Sequence, residues 1–318
     1  MAGIALVGYI VCVAAVVAVV WLVVRGRPRR TEPLAASVQS LLDAARRRAV
    51  IAVVFSGVVI VALFLAGSFL QSLAGLPIAL APALGGSAGL LLYSATPPRA
   101  VVVASGAARE ASLTPRTPLS FVPPLGAGLL AAAVILQVAF LIFTGVTSNP
   151  DGSGRYRTIA FQTADSASAS SPYPGWFYGV PLLVATVVLV AATFLALWRV
   201  SSTPALPQRE RADVDAGWRR ATNRIILAVG GAMLLLQFGG TALQSGSAMH
   251  NTYFEGVPPI WDVLGQTLAG AGLVLMIGSI VVLTLATLWA FTLPDAALAA
   301  GAPAGPRNAE TAPAGLPR

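Results

Sequence analysis

Seven long apolar stretches constrain this chain most, because each is long enough to cross a lipid bilayer. A bilayer core about 30 Å thick needs roughly 20 apolar residues in a helix that rises about 1.5 Å per residue. Of the 318 residues, 56% are hydrophobic and only 10% are charged, against roughly 25% charged residues in an ordinary soluble domain. The sequence therefore predicts an all-α membrane protein, a bundle of seven transmembrane helices, with spans at about 3–24, 49–70, 77–95, 125–146, 178–198, 225–243 and 264–291.

The two ends of the chain are predicted to differ. The first span has no basic segment before it, so we expect it to be retained as a helix instead of being removed as a signal peptide. Residues 1–294 then form one transmembrane domain. Residues 295–318 are rich in Ala, Pro and Gly without periodicity, which predicts a disordered cytoplasmic tail.

The basic residues set the predicted orientation. All 20 are arginine, and 18 of them lie in the loops and tail on one side of the spans, whereas only Arg155 and Arg157 lie on the other. The positive-inside rule makes the arginine-rich side cytoplasmic. We therefore expect a multi-pass protein of the plasma (inner) membrane with its N-terminus outside and its C-terminus inside. Tryptophans at the predicted span ends agree with this arrangement: Trp21, Trp198 and Trp289 inside, Trp176 and Trp261 outside.

The cytoplasmic arginines are predicted to contact anionic lipid of the inner leaflet. The arginines concerned are Arg46, Arg47, Arg48, Arg219 and Arg220. They lie in short segments beside apolar spans and not on a soluble face, so no nucleic-acid partner is expected. Residues 33–48 read as a helix with apolar residues on one face, which either lies on the inner leaflet or, the interpretation we favour, extends the second span.

A possible duplication comes from two similar cytoplasmic segments. Residues 43–49 (DAARRRA) align without gaps with residues 215–221 (DAGWRRA), and each precedes an apolar span. The first three spans would then repeat as the last three, a 3+1+3 parallel repeat of the kind found in some transporters. Alternatively, any cytoplasmic entry to a membrane helix collects Asp and Arg. The outer loop 147–177 is rich in Ser, Ala, Gly and Pro from residue 163 onward, which predicts a mobile segment.

The predicted spans carry no ionisable residue in their interiors, which argues against a proton-coupled pump. Without lysine the chain cannot form a retinal Schiff base. The single cysteine, Cys12, permits no internal disulfide, and no phosphate-binding glycine loop is present. We therefore predict no enzymatic activity and no cofactor.

Two groups of polar residues remain as candidate sites. His250, with Glu255 and Asp262, lies in the predicted outer loop 244–263, although the spacing matches no compact metal motif. The others are glutamines of the spans, which bridge helices by hydrogen bonds or contact a solute: Gln137, Gln237 and Gln266.

The segment Tyr173–Pro181 (YPGWFYGVP), together with the arginine-flanked hairpins, resembles uncharacterised actinobacterial polytopic integral membrane proteins. The resemblance implies no activity and carries over no functional residue.

Three functional hypotheses follow. The first is a non-enzymatic scaffold, sensor or accessory subunit that acts through helix–helix contacts with a partner or a second copy. The second is a facilitator for a small neutral solute, with a site between the third, fourth, sixth and seventh spans, because the third and seventh are glycine-rich. The third is a metal-dependent enzyme on the outer face, which rests on His250 and its carboxylate neighbours.

Overall fold

The computed structural model describes residues 36–96, 120–203 and 212–301. Within these ranges six helices are long and apolar enough to cross a membrane, consistent with a mostly helical, multi-pass membrane protein. They are α1 (Ala36–Phe69), α2 (Leu76–Ala95), α3 (Pro124–Val146), α4 (Trp176–Ser201), α5 (Ala212–Thr252) and α6 (Ile260–Phe291). A short 3-10 helix, Gln71–Leu73, joins α1 to α2, and a final helix, α7, spans Leu293–Gly301. The predicted span 3–24, with Cys12, lies outside the described residues.

Helix α1 decides between the two interpretations of residues 33–48. It runs without a break from Ala36 to Phe69, so its described first part extends the second span and does not lie flat as a separate helix. Leu42, Ala45, Ala49 and Ala52 are all buried and recur every three or four residues. This spacing keeps one face of the helix against the bundle across the boundary between the polar and apolar sequence.

Helix α5 is much longer than the predicted span 225–243. Its 41 residues correspond to about 60 Å of helix, twice the thickness of a bilayer core. The predicted loops 199–224 and 244–263 are consequently wrong in extent, because α5 begins at Ala212 and ends at Thr252. Hydropathy alone missed the first turns because they contain Asp215 and Arg219, which are buried as an ion pair.

Glycines set the close packing of α5 against α6. A Cβ atom on Gly272 would lie 2.6 Å from the carbonyl oxygen of Gly239, and one on Gly239 would lie 2.7 Å from the carbonyl oxygen of Gly272. Gly246 and Gly265 face each other in the same way about two turns nearer the α5–α6 loop. The two backbones therefore approach so closely that no side chain fits between them, as small residues permit in membrane helices.

The segment between α3 and α4 forms a three-stranded antiparallel sheet in the order β1 (Asn149–Pro150), β2 (Tyr156–Gln162) and β3 (Ala167–Ser170). Strand β3 falls inside the part of this segment expected to be mobile, so that expectation is wrong for the strand. Ile159 and Tyr173 are buried and pack with Ala248 and Met249 of α5, which fixes the sheet to the bundle. This apolar contact and the hydrogen bonds between β2 and β3 stabilise an ordered sheet in a segment whose composition is typical of loops.

The tail predicted to be disordered from residue 295 instead begins as helix α7. Leu293 and Ala297 are fully buried and belong to the main core. Helix α7 packs against α5 and α1. The expected disorder is therefore contradicted for residues 295–301, and residues 302–318 lie outside the described part of the chain.

The arginines of different helices meet at one end of the bundle. Arg48 of α1 contacts Tyr93 near the end of α2, and Arg224 of α5 lies over Trp289 near the end of α6. We call this the arginine-rich end, and the opposite end, which carries the sheet, the sheet end. The two segments of the proposed duplication differ here, because Asp43 and Arg47 are exposed whereas Asp215 and Arg219 are buried. The duplication stays a hypothesis, since the first predicted span is not described.

Two glycines of α6 provide a matched test of the packing. We expect Gly272→Ala to lower the free energy of unfolding by about 2 kcal/mol, because its Cβ would meet backbone atoms of α5. Gly270→Ala, on the open face of the same helix, should raise stability slightly through helix propensity. Thermal unfolding in detergent, followed by circular dichroism, measures both. Equal effects of the two substitutions would contradict the role assigned to Gly272.

Candidate functional site

Arg219 is the centre of the arginine-rich end. Its side chain is fully buried, and its Nε donates to Asp215 Oδ2 at 2.9 Å, one turn earlier in α5. Its Nη atoms donate to the carbonyl oxygens of Val200 and Thr203, the latter at 2.8 Å. The carbonyls in the last turn of a helix have no partners within the helix, so Arg219 caps the end of α4 and ties it to α5.

Aromatic rings also contact this guanidinium. The Cζ atom of Arg219 lies 5.6 Å from the ring centroid of Phe121, just before α3, and 5.2 Å from that of Trp218. Arginine stacks on aromatic faces and is more weakly hydrated than lysine, which suits it to a buried position. One residue therefore holds together the ends of α3, α4 and α5.

This burial corrects one part of the lipid prediction. Arg219 has no exposed surface and its charge is paired with Asp215, so it cannot reach inner-leaflet lipid as expected from the sequence. Arg47 and Arg220 are exposed, and Arg46 and Arg48 are partly exposed, each over an aromatic ring. For these four arginines the lipid contact stays a prediction.

Two of the three candidate glutamines lie in the bundle interior. Gln237 is 2% exposed and its Nε2 donates to Thr186 Oγ1 at 3.0 Å, which joins α5 to α4. Gln137 of α3 is 0% exposed, and neither of its amide atoms bonds to a group of the described residues. Phe140 and Phe238, close to these glutamines in sequence, pack with ring centroids 5.4 Å apart. The contact of Gln237 fits a glutamine that bridges two helices, whereas Gln137 makes no such hydrogen bond within the described residues.

Gln266 is not part of that interior group. It is exposed near the sheet end, where its Nε2 donates to Asp262 Oδ2 at 3.0 Å. The structure therefore does not bring the three glutamines together, because Gln266 lies less than two turns from the start of α6 and its side chain contacts Asp262.

The same aspartate contacts the single histidine. His250 Nδ1 lies 2.6 Å from Asp262 Oδ1, joining the last turn of α5 to the first turn of α6. His250 is thus in a helix and not in the predicted loop, whereas Glu255 is exposed in the loop that follows. Among the described residues no three His, Cys, Asp or Glu side chains are grouped to hold a metal ion.

Neither of two cavities found in the described part of the chain is lined by the three glutamines. One, about 20 Å³, lies between α1, α2 and α5 and is lined by Ser56, Tyr93 and Thr222 among apolar side chains. The other is a groove of about 410 Å³ between α3 and α4, lined almost entirely by apolar side chains with Thr186 the exception. A polar path across the bundle is not seen at either position.

At the sheet end, Asp151 organises the turn between β1 and β2. Its Oδ1 accepts hydrogen bonds from the backbone nitrogens of Ser153 and Arg155 at 2.8 and 2.9 Å, and its Oδ2 pairs with Arg157. The hydrogen bond from Arg157, followed by that from the Arg155 backbone, holds the pKa of Asp151 well below its usual value. The same contact raises the pKa of Arg157. Burial raises the pKa of Tyr173 to about 12.

Several polar residues of the interior were missed from the sequence. Thr186 and Asn223 are buried, and the amide atoms of Asn223 lack partners among the described residues. The sequence predicts a loop at Asn223 and Arg219 because hydropathy falls before residue 225. The four-residue spacing of Asp215 and Arg219 was the available signal, since it places opposite charges on one helix face.

Comparison with known proteins found no matching family model, no matching curated protein and no matching solved structure.

Two neighbouring arginines of α5 test the buried cap. We expect Arg219→Gln to lower the free energy of unfolding by about 3 kcal/mol or more, because it leaves the buried carboxylate of Asp215 and the end of α4 without their partner. Arg220→Gln, on the exposed side, should change stability by less than about 0.5 kcal/mol. Urea or thermal unfolding of both variants in detergent gives the comparison. Equal free energies of unfolding for the two variants would show that the Arg219 cap does not stabilise the fold.

The low pKa of Asp151 predicts a dependence on pH. A carboxyl group with a depressed folded pKa stabilises the fold above its unfolded pKa of about 3.9 and loses that contribution as the pH falls below it. Asp151→Asn should therefore lower the melting temperature at pH 7, and the difference from the unmodified protein should shrink below about pH 4. Asp165→Asn, in the exposed turn between β2 and β3, is the control and should show no such trend. Tryptophan fluorescence, to which Trp176 contributes, is the readout.

Proposed function

We propose that this protein is a non-enzymatic, multi-pass protein of the plasma membrane that acts as a scaffold, sensor or accessory subunit through helix–helix contacts. In the proposed orientation the arginine-rich end faces the cytoplasm and the sheet end faces outside, by the positive-inside rule. Arg48 of α1, Arg199 in the last turn of α4 and Arg224 of α5 lie at the same end of the bundle, which supports this orientation.

The observation that carries the proposal is the outward face of α6. Helix α6 packs closely on α5 through Gly265 and Gly272. Nevertheless, only 11% of its most apolar stretch of 18 residues is buried. Gly270, Val274 and Gly278 follow one another at four-residue spacing, and a Cβ atom on either glycine would meet nothing within 4 Å. A glycine inside a helix costs about 1 kcal/mol relative to alanine. Within the described residues nothing compensates this cost on the outward face, whereas a second helix packed there would.

The other two hypotheses have less support. A facilitator needs polar groups along a path, but Gln266 is apart from the other two glutamines, and Gln237 is engaged with Thr186. An outer-face metal enzyme needs ligands around an open position, and His250 is paired with Asp262 alone among the carboxylates of the described residues. No specific observation favours either over the scaffold.

Disulfide cross-linking tests the outward face of α6. In a Cys12→Ser background, which removes the only native cysteine, Val274→Cys should give an intermolecular cross-link on mild oxidation of membranes. Val274 is 68% exposed, and Val187→Cys on α4, at a position 67% exposed, is the matched control and should give none. A cross-linked dimer indicates a second copy, and a product of another mass indicates a partner that contributes a cysteine.

The native Cys12 tests whether the predicted span 3–24, and not a second protein, covers the outward face of α6. If the Val274→Cys variant that retains Cys12 gives only an internal disulfide between Cys12 and the introduced cysteine, and no intermolecular product forms in either background, the predicted span 3–24 covers this face. The assignment of the α6 face to assembly would then be wrong. Gly270→Leu should abolish the intermolecular product, whereas Gly128→Leu on the exposed face of α3 should leave it unchanged.

A further inference from the structure

One aromatic ring brings together the two arginines of the sheet end. Arg155 immediately precedes β2 and Arg157 lies within it. Because successive side chains of an extended segment alternate between its faces, this spacing places both arginines on one face. Their Cζ atoms lie 5.3 and 5.9 Å from the ring centroid of Phe177, the second residue of α4. These are the two arginines that lie opposite the other 18 in the predicted topology.

Only one of the two positive charges is balanced within the described residues. Arg157 pairs through its Nε atom with Asp151 Oδ2. The other oxygen of Asp151 accepts hydrogen bonds from Ser153 and from the backbone nitrogen of Arg155. The guanidinium of Arg155 has no carboxylate within salt-bridge distance in the described part of the chain, and this side chain is exposed. Two guanidiniums and one carboxylate leave one net positive charge, on a side chain that a ligand can reach.

The ring that both arginines contact lies where a membrane-spanning helix begins. Helix α4 starts at Trp176 and is long and apolar enough to cross a bilayer. Val180 and Val184, one and two turns further on, are exposed and therefore face lipid. Trp176 is also exposed, and tryptophan favours the headgroup level of a bilayer. Phe177 thus holds the free cation of Arg155 at the level where lipid phosphates lie.

We infer that Arg155, held over Phe177 and with Arg157 beside it, binds the phosphate group of an anionic phospholipid in the leaflet at the sheet end. A guanidinium matches the oxygens of a phosphate by paired hydrogen bonds. The net positive charge of the cluster favours an anionic lipid over a zwitterionic one. The inference goes beyond the contacts of α6, and it rests on the proposed function only for the statement that this leaflet is the outer one.

Photochemical labelling in nanodiscs tests the site. The discs contain phosphatidylcholine and a small fraction of phosphatidylglycerol with a photoreactive headgroup, and mass spectrometry of peptides locates the adducts. We expect an adduct within residues 150–157 or at the start of α4. Replacing part of the phosphatidylcholine by unlabelled phosphatidylglycerol should suppress it. Because both leaflets of a disc carry the probe, the result does not depend on the orientation of the protein.

Three variants assign the adduct to Arg155. Arg155→Gln should lower its yield about fivefold, the effect of one arginine near an anionic membrane surface. The turn is retained in this variant, because the backbone nitrogen of Arg155 bonds to Asp151 and the side chain does not. Arg155→Lys keeps the charge without the paired donors and should retain part of the yield. Arg47→Gln removes an exposed arginine at the opposite end, and it should leave this adduct unchanged.

Phe177→Leu tests the positioning role of the ring. The variant keeps both arginines and an apolar side chain, but it removes the surface over which the guanidiniums lie. The yield of the adduct should therefore fall although the charge of the cluster is unchanged. Circular dichroism and the melting temperature check that each variant is folded like the unmodified protein.

Three results would overturn the inference. The first is the absence of an adduct at the sheet end of the unmodified protein. The second is an equal loss of yield in Arg155→Gln and Arg47→Gln, which would indicate a diffuse attraction of charges. The third is a yield that unlabelled phosphatidylglycerol does not reduce. Disulfide cross-linking through the α6 face uses none of these residues, so failure of the lipid site leaves the proposed function intact.

Discussion

The cap that Arg219 places on the end of α4 is the interaction on which the arginine-rich end of the bundle depends. A buried guanidinium is tolerated only if its charge is paired and its donors are used. Asp215 supplies the charge, and the carbonyls of Val200 and Thr203 use the remaining donors. The same hydrogen bonds give the last carbonyl oxygens of α4 their partners. One side chain thus satisfies both the buried guanidinium and the end of the helix. Phe121 and Trp218 exclude water from the group.

The rest of the bundle is held by a different principle, close approach of backbones. In lipid, apolar side chains gain little from leaving the solvent, so helices associate through packing and hydrogen bonds. The glycines between α5 and α6 provide the packing, and Gln237 with Thr186 provides a hydrogen bond between α5 and α4. At the sheet end, Ile159 and Tyr173 anchor the sheet on α5. Helix α5, the longest helix described, takes part in all three arrangements.

The proposed function uses a surface that these internal contacts leave free. The glycines of α6 are divided between a face that packs on α5 and a face that packs on nothing among the described residues. The arginines are divided in the same way between Arg219, which is consumed by the cap, and Arg48 with Arg199, which lack carboxylate partners there. Glycine within a helix and buried arginine charge both destabilise the fold unless a contact compensates them. Such a contact is seen for Gly272 and Arg219, but not within the described residues for Gly270 or Arg199.

The sequence by itself determined the membrane class, the presence of the six long apolar helices that the structure describes and the division of the arginines, because apolar length and charge distribution act locally along the chain. Its estimates for α2, α3 and α4 fall within a few residues of the observed ends.

The sequence did not predict the length of α5, strand β3 or helix α7. Those elements are polar or loop-like in composition, and contacts with distant residues stabilise them. The ion pair of Asp215 with Arg219 packs the start of α5 against α4. Tyr173 packs with Met249 beside the sheet, and Leu293 anchors α7 in the main core. Only the tertiary structure decided that Arg219 is buried in an ion pair, while the Arg199 Nε atom has no acceptor among the described residues, and that Gln266 is exposed whereas Gln137 is buried. Burial and pairing depend on which helices are neighbours, and hydropathy carries no information about that.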